Sequence, residues 1–278
     1  INVGDDVGWV HGWQLMFFVE GLFAVIAGIA AFIFLVDSPE KAKFLTDDEK
    51  AALAAETARE DALKSGESPT GIWRSLGSPR VWYFTAIYFC LQVAVYGVTF
   101  YLPQQVAALT GQQVGLQVGL LVAVPWFIGA FGLYFFGRYA NTTLRRRRLG
   151  VLFYLLTAFC IVGSAWAGAT EQPLLGMVFI TLAVLSFMSV SPITWSYPTA
   201  FLISGTAAAT GIALINSIGN LGGFLAPILR TNVSEAAGGD PASGIYAIAV
   251  FPLIAAVLLF GTKFLKQKAD DMLVADEA

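Results

Sequence analysis

Seven apolar runs constrain this chain more than any other feature of its sequence, covering approximately 13–36, 81–102, 116–137, 149–169, 174–197, 205–230 and 245–265. Crossing about 30 Å of hydrocarbon takes roughly 20 apolar residues in a helix, and each run is long enough. Backbone N–H and C=O groups find no water in lipid, so a spanning segment must satisfy them within a helix or a closed barrel. Runs this long are helices. The expected fold class is therefore an all-α polytopic membrane protein with seven transmembrane helices. Only 13% of the 278 residues are charged, against about a quarter in a soluble domain.

The placement of charge predicts a topology. Of the 16 Lys and Arg residues, all but Arg230 lie in or beside the loop 37–78, in the turn 138–148, or from Lys263 onward. Basic residues gather on the cytoplasmic side of membrane proteins, so the loop 37–78, the turns 138–148 and 198–204 and the C-terminus are expected in the cytoplasm. The N-terminus is then outside. The expected organisation is an external segment and one helix over 1–36, a cytoplasmic linker over 37–78, a six-helix unit over 79–266 and a tail over 267–278. The chain opens INVGDDVGWVHGW, with no initiator Met and no basic signal-peptide region. With an odd number of spans, it reads as a piece of a longer chain, the alternative being a complete protein with an external N-terminus.

In the linker, Asp37, Ser38 and Pro39 close the first span. Thr46 and Glu49 then carry capping-box spacing, predicting a surface helix to about Lys64. An interfacial segment over 71–77, with Trp73 and Arg74, precedes the second span. Cys90 and Cys160 both fall in apolar runs, where a small buried hydrophobe is the expectation rather than a disulfide.

Polar residues within the spans mark where they do more than anchor. In the second, Thr85, Tyr88, Gln92, Tyr96 and Thr99 recur at steps of three and four and share one helical face. At mid-span, Gln92 must meet either a partner on a neighbouring helix or a water-filled cavity. In the third span Pro125 predicts a kink, Gly115, Gly119, Gly129 and Gly132 allow close helix approach, and Trp126 can line a cavity or pack. The stretch 191–230 is almost uncharged, yet it is crowded with Pro, Gly, Ser, Thr and Asn. Pro192 interrupts the fifth span, Ser191 and Trp195 share a face, and Pro198 is expected to end the helix. Asn216 and Asn220, also four apart, sit among Gly211, Gly219, Gly222 and Gly223 on a continuous sixth span. Such a pair can tie helices together or hold a ligand.

Glu20, the one acid inside a run, reads as a proton site or a hydrogen-bonded structural acid. Arg230 stands at the end of the sixth run, so no Lys or Arg is expected inside a span. With one His, no Cys/His metal spacing, no nucleophile–base set and no phosphate-cradling loop, neither an enzyme nor a cofactor is expected. The expected partners are the lipid bilayer and a small molecule, with no nucleic acid. A seven-helix receptor with an external N-terminus is the competing plan.

Four blocks are familiar together: GWQLMFFVEGLFAVIAG (12–28), DSPEKAKFLTDDEKAAL (37–53), YGVTFYLPQQV (96–106) and SYPTAFLISGTAAATGIALINSIGNLGGFLAPIL (196–229). They resemble the anion:cation symporter family of the major facilitator superfamily, the tartrate, phthalate and sugar-acid transporter type. The resemblance covers essentially the whole chain. It implies that the seven runs correspond to helices six to twelve of a twelve-helix transporter, that 37–78 links the two halves, and that the N-terminal half is a missing partner. It further implies proton-coupled symport of a small organic anion across the plasma (inner) membrane, by alternating access around a midplane site.

Carried over by position, the site residues would be Gln92, Trp195 and Asn216. Tyr96, Ser191 and Asn220 join them by face and depth. A carboxylate at mid-membrane needs a cation or several donors, so the charge-binding and proton-coupling groups are expected in the N-terminal half. One departure is visible. The superfamily's G-R-x-S-D-R loop resembles residues 137–142 here, but Asn141 stands where the acid would be, which weakens a charge contact on the cytoplasmic side.

Overall fold

A computed structural model describes residues 11–64, 76–201 and 206–264, and all regular structure among them is helical. The chain divides into two compact units, residues 1–68 and 69–278.

The first unit contains α1 (Gly12–Phe34), a 3-10 turn at Pro39–Lys41 and α2 (Asp47–Lys64). The capping box of α2 forms as its spacing requires. The Glu49 carboxylate accepts from Thr46 N and Thr46 Oγ1, each at 2.9 Å, and Glu49 N donates back to Thr46 Oγ1 at 3.3 Å. These bonds hold the Glu49 carboxyl below its ordinary pKa. The expected interfacial segment around Trp73 and Arg74 lies outside the described residues.

The second unit contains α3 (Pro79–Thr99), α4 (Leu102–Thr110), α5 (Leu116–Tyr139), α6 (Thr143–Ala169), α7 (Pro173–Phe201), α8 (Thr206–Gly219), α9 (Gly222–Ala236) and α10 (Pro241–Gly261). Across the described chain, seven segments are long and apolar enough to cross a membrane, α8 and α9 sharing one of them, Ala209–Ala236. Helix α3 is central, packing against α7, α8, α9 and α10. Phe84, Ile87 and Leu91 on α3, Tyr154 on α6 and Phe187 on α7 are among the largest fully buried side chains. Buried hydroxyls of Thr157, Ser164, Ser186 and Ser189 donate to carbonyls of their own helices, which spares these apolar contacts an unpaired polar group. Cys90 and Cys160 are free and buried. Trp126 packs edge-on against Phe187, ring centroids 5.9 Å apart.

Three expectations are corrected. Pro198 does not end the fifth span, because α7 runs through it to Phe201. A proline removes one backbone donor and frees the carbonyl four residues back, here Thr194 O, and the helix carries that single loss, with Ser196 Oγ donating to Ile193 O at 2.7 Å and Thr199 Oγ1 to Trp195 O at 3.1 Å in the same turn. The fourth helix begins at Thr143, not Leu149, so Arg145, Arg146, Arg147 and Arg148 lie in its first turns, capped by Thr142 Oγ1 accepting from Arg145 N at 3.4 Å. The sixth span is not continuous. It breaks between Gly219 and Gly222, where Leu221 N turns back to Ile218 O and Gly223 N to Asn220 O in three-residue loops.

Candidate functional site

The break in the sixth span lies against the polar face of α3, and glycines bring it there. A Cβ on Gly222 would meet Phe89 O and Val93 N of α3 at 2.8 Å, and one on Gly223 would meet the Tyr96 ring at 2.8 Å. A Cβ on Gly219 would collide with the ring of Tyr88. With three side chains absent, the backbone of the break touches α3 directly.

That approach assembles the polar cluster. Gln92 Nε2 donates to Asn220 Oδ1 at 2.7 Å, and Tyr96 OH donates to the same oxygen at 3.4 Å. Asn220 Nδ2 donates to Asn216 O at 2.7 Å and to Asn216 Oδ1 at 3.1 Å. Tyr88 OH reaches Asn216 Oδ1 at 3.4 Å. The Tyr88 ring meets Trp195 of α7 edge-on, centroids 4.7 Å apart. Both ends of the Asn220 amide are thus engaged inside the protein, making it the knot that ties the break to α3. Asn216 is exposed at the surface of this unit, while Gln92, Tyr96 and Trp195 are half-buried.

Five of the six expected site residues therefore converge: Gln92, Tyr96, Trp195, Asn216 and Asn220. Ser191 is half-buried one turn before Trp195, and makes no hydrogen bond to the cluster among the described residues. Tyr88, absent from the expected set, links Trp195 to Asn216; its place in the three-four stripe was the signal for it. Thr85 is in the same stripe, but its hydroxyl donates to Val81 O at 2.8 Å on its own helix.

The sequence also misplaces the one cation of the opposite side. Arg230 stands six residues before the end of the helical segment Ala209–Ala236, so α9 runs on past the end of the expected sixth run. Arg230 Nη1 donates to Gly97 O at 3.1 Å, and its guanidinium carbon is 3.9 Å from the centroid of Tyr101.

Near the basic turn, Asn141 Oδ1 accepts from Arg145 Nη1 at 3.2 Å, and Arg146 Nε donates to Ala140 O at 2.9 Å. A neutral amide stands here in the acid's position.

The sequence profile of the Major Facilitator Superfamily matches residues 7–227. The chain belongs to the major facilitator superfamily. Among superfamily relatives, the inner membrane transport protein RhmT of Escherichia coli K12 is 38% identical over 249 residues, covering 90% of this chain and 56% of RhmT. A provisionally named tartrate transporter of Agrobacterium vitis is 35% identical over 247 residues, 89% of this chain and 55% of the relative. A quinolone resistance transporter of Acinetobacter baumannii is 29% identical over 258 residues, 92% of this chain and 58% of the relative. The chain spans about half the length of these superfamily relatives. A seven-helix receptor finds no support among them.

Proposed function

We propose that this chain forms part of a secondary transporter that moves a small organic anion across the inner membrane by alternating access. The polar cluster at the broken span carries this reading. Two asparagines, a glutamine and two tyrosines converge beside Trp195 part-way along apolar helices, where polar side chains are costly in a bilayer unless they serve a ligand or one another. Asn220 serves its neighbours. Asn216, exposed beside it, offers its amide to a substrate, with Gln92, Tyr96 and Trp195 flanking. Broken helices near the midplane are where secondary transporters hold their substrates.

The names of two relatives, a tartrate transporter and a quinolone resistance transporter, support a carried organic molecule, and tartrate offers hydroxyls that amides and phenols can read. In this reading the seven spans correspond to helices six to twelve, residues 37–78 link the halves, the basic turn faces the cytoplasm, and protons drive uptake through acids of the other half. Ser191 stays a peripheral member of the site.

Tartrate uptake into cells expressing the transporter tests the reading. Asn216→Ala should cut uptake at least tenfold, about 1.4 kcal/mol of lost binding or gating, with membrane insertion intact. Undiminished uptake of tartrate and of other carboxylates by Asn216→Ala and Gln92→Ala would remove both residues from the site.

A further inference from the structure

A second polar feature lies apart from the cluster. The ends of α6 and α9, the starts of α7 and α10, and helix α4 enclose a cleft of about 760 Å³ at the end of the bundle opposite the basic turn. That volume is within the range of small-molecule sites. Arg230 lines it together with Gln104, Gln105 and Ser164. No residue of the cluster lines it, and Arg230 comes eight residues after Gly222, about 12 Å along α9, so the cleft is separate from the cluster at the break.

Arg230 is half-buried, and a cation inside an apolar span needs compensation. Among the described residues no carboxylate is within 4.0 Å of it. One donor goes to Gly97 O, and Tyr101 stacks on the guanidinium. Five N–H groups arranged as a planar fork leave several for a bidentate anion. Two acids also line the cleft, Glu171 and Asp240, but the Asp240 carboxylate is taken up by the start of α10, accepting from Ala242 N at 3.0 Å and Ser243 N at 3.1 Å. Glycines let the helices approach closely around the arginine. A Cβ on Gly244 would collide with Arg230 O and meet its Cγ at 2.9 Å, while one on Gly97 would meet Ile248 at 2.7 Å. Gln105 is held beside the arginine by donating from Nε2 to Ser164 Oγ at 3.2 Å, which leaves its carbonyl oxygen for a substrate hydroxyl.

We propose that this cleft is a second, anion-binding site that receives one carboxylate of a small organic acid on the Arg230 guanidinium, with Gln105 reading an adjacent hydroxyl. The choice of tartrate as probe rests on the transporter reading above; the cleft itself does not.

Ala108, exposed in the cleft wall, supplies the reporter. In the purified chain in detergent, Ala108→Cys is treated with an anionic or a cationic methanethiosulfonate of similar size, Cys90 and Cys160 being buried. Modification by either reagent should be slowed by tartrate and not by erythritol, and that protection should be lost with Arg230→Gln. No protection by tartrate while Arg230 is intact overturns the proposal without reliance on any arginine variant. Tartrate protection that survives Arg230→Gln in a folded protein overturns the role of the arginine. Because the readout is chemical modification, a failed uptake assay would count against the transporter reading and leave this result standing.

Discussion

The amide oxygen of Asn220 accepts a hydrogen bond from Gln92 Nε2 at 2.7 Å, joining the break between α8 and α9 to the middle of α3. Interhelical bonds of this kind contribute about 0.6 kcal/mol on average and up to roughly 1.7 kcal/mol. Asn220→Ala, Gln92→Ala and the double variant should therefore show a coupling energy in that range when unfolding is followed in mixed detergent. Strict additivity would mean that the pair is not coupled.

Glycine makes that bond possible. Since a Cβ on Gly222 would meet backbone atoms at 2.8 Å, which cannot turn aside as a side chain can, Gly222→Ala should cost about 1 to 3 kcal/mol. A Cβ on Gly119 would have nothing within 4 Å of it, so Gly119→Ala should bring no loss. The thermal midpoints of the two variants, measured side by side, test the contrast.

Asn141 makes a neutral hydrogen bond to Arg145, at the position where the superfamily's loop resembles one carrying an acid. Asn141→Asp should raise stability by at most about 1 kcal/mol, the usual scale of an exposed pair, and the gain should fade in high salt. Thermal midpoints at low and high ionic strength separate this from a packing effect.

The cap of α2 has a pH dependence of known sign. Glu49 has its pKa lowered by bonds from Thr46 N and Oγ1, so its contribution is complete above the unfolded carboxylate value of about 4.3. It is lost as pH falls through the lower folded value. Amide protection at residues 47–50, taken relative to the intrinsic exchange rate at each pH, should fall across that acid window, and Glu49→Gln should abolish that loss of protection.

Much of this architecture was legible because its physics is periodic. The apolar runs, the Thr46–Glu49 cap and the stripe of Tyr88, Gln92 and Tyr96 each follow from spacing alone. The break at Asn220 was not legible, since Gly219, Gly222 and Gly223 are as compatible with close packing of a straight helix as with a turn; only contact with Tyr88, Phe89 and Tyr96 of α3 decides it. Pro198 misled because a proline costs a helix one backbone bond rather than forbidding it, and α7 carries that loss on to Phe201. Arg230 was read as an end marker, because hydropathy cannot show that a carbonyl of Gly97 and the ring of Tyr101 shelter its charge. For the cluster, spacing identified the α3 face, while the partner of each group on it depended on tertiary contact.

The broken span has a mechanical consequence. Asn216 belongs to α8 and Arg230 to α9, and the joint between them is seated on the backbone of α3 through Gly222. The joint acts as a fulcrum with a polar group on each arm. Were one arm to tilt about that seat, the separation between the two groups would change, and a ligand drawing on either group would load the other.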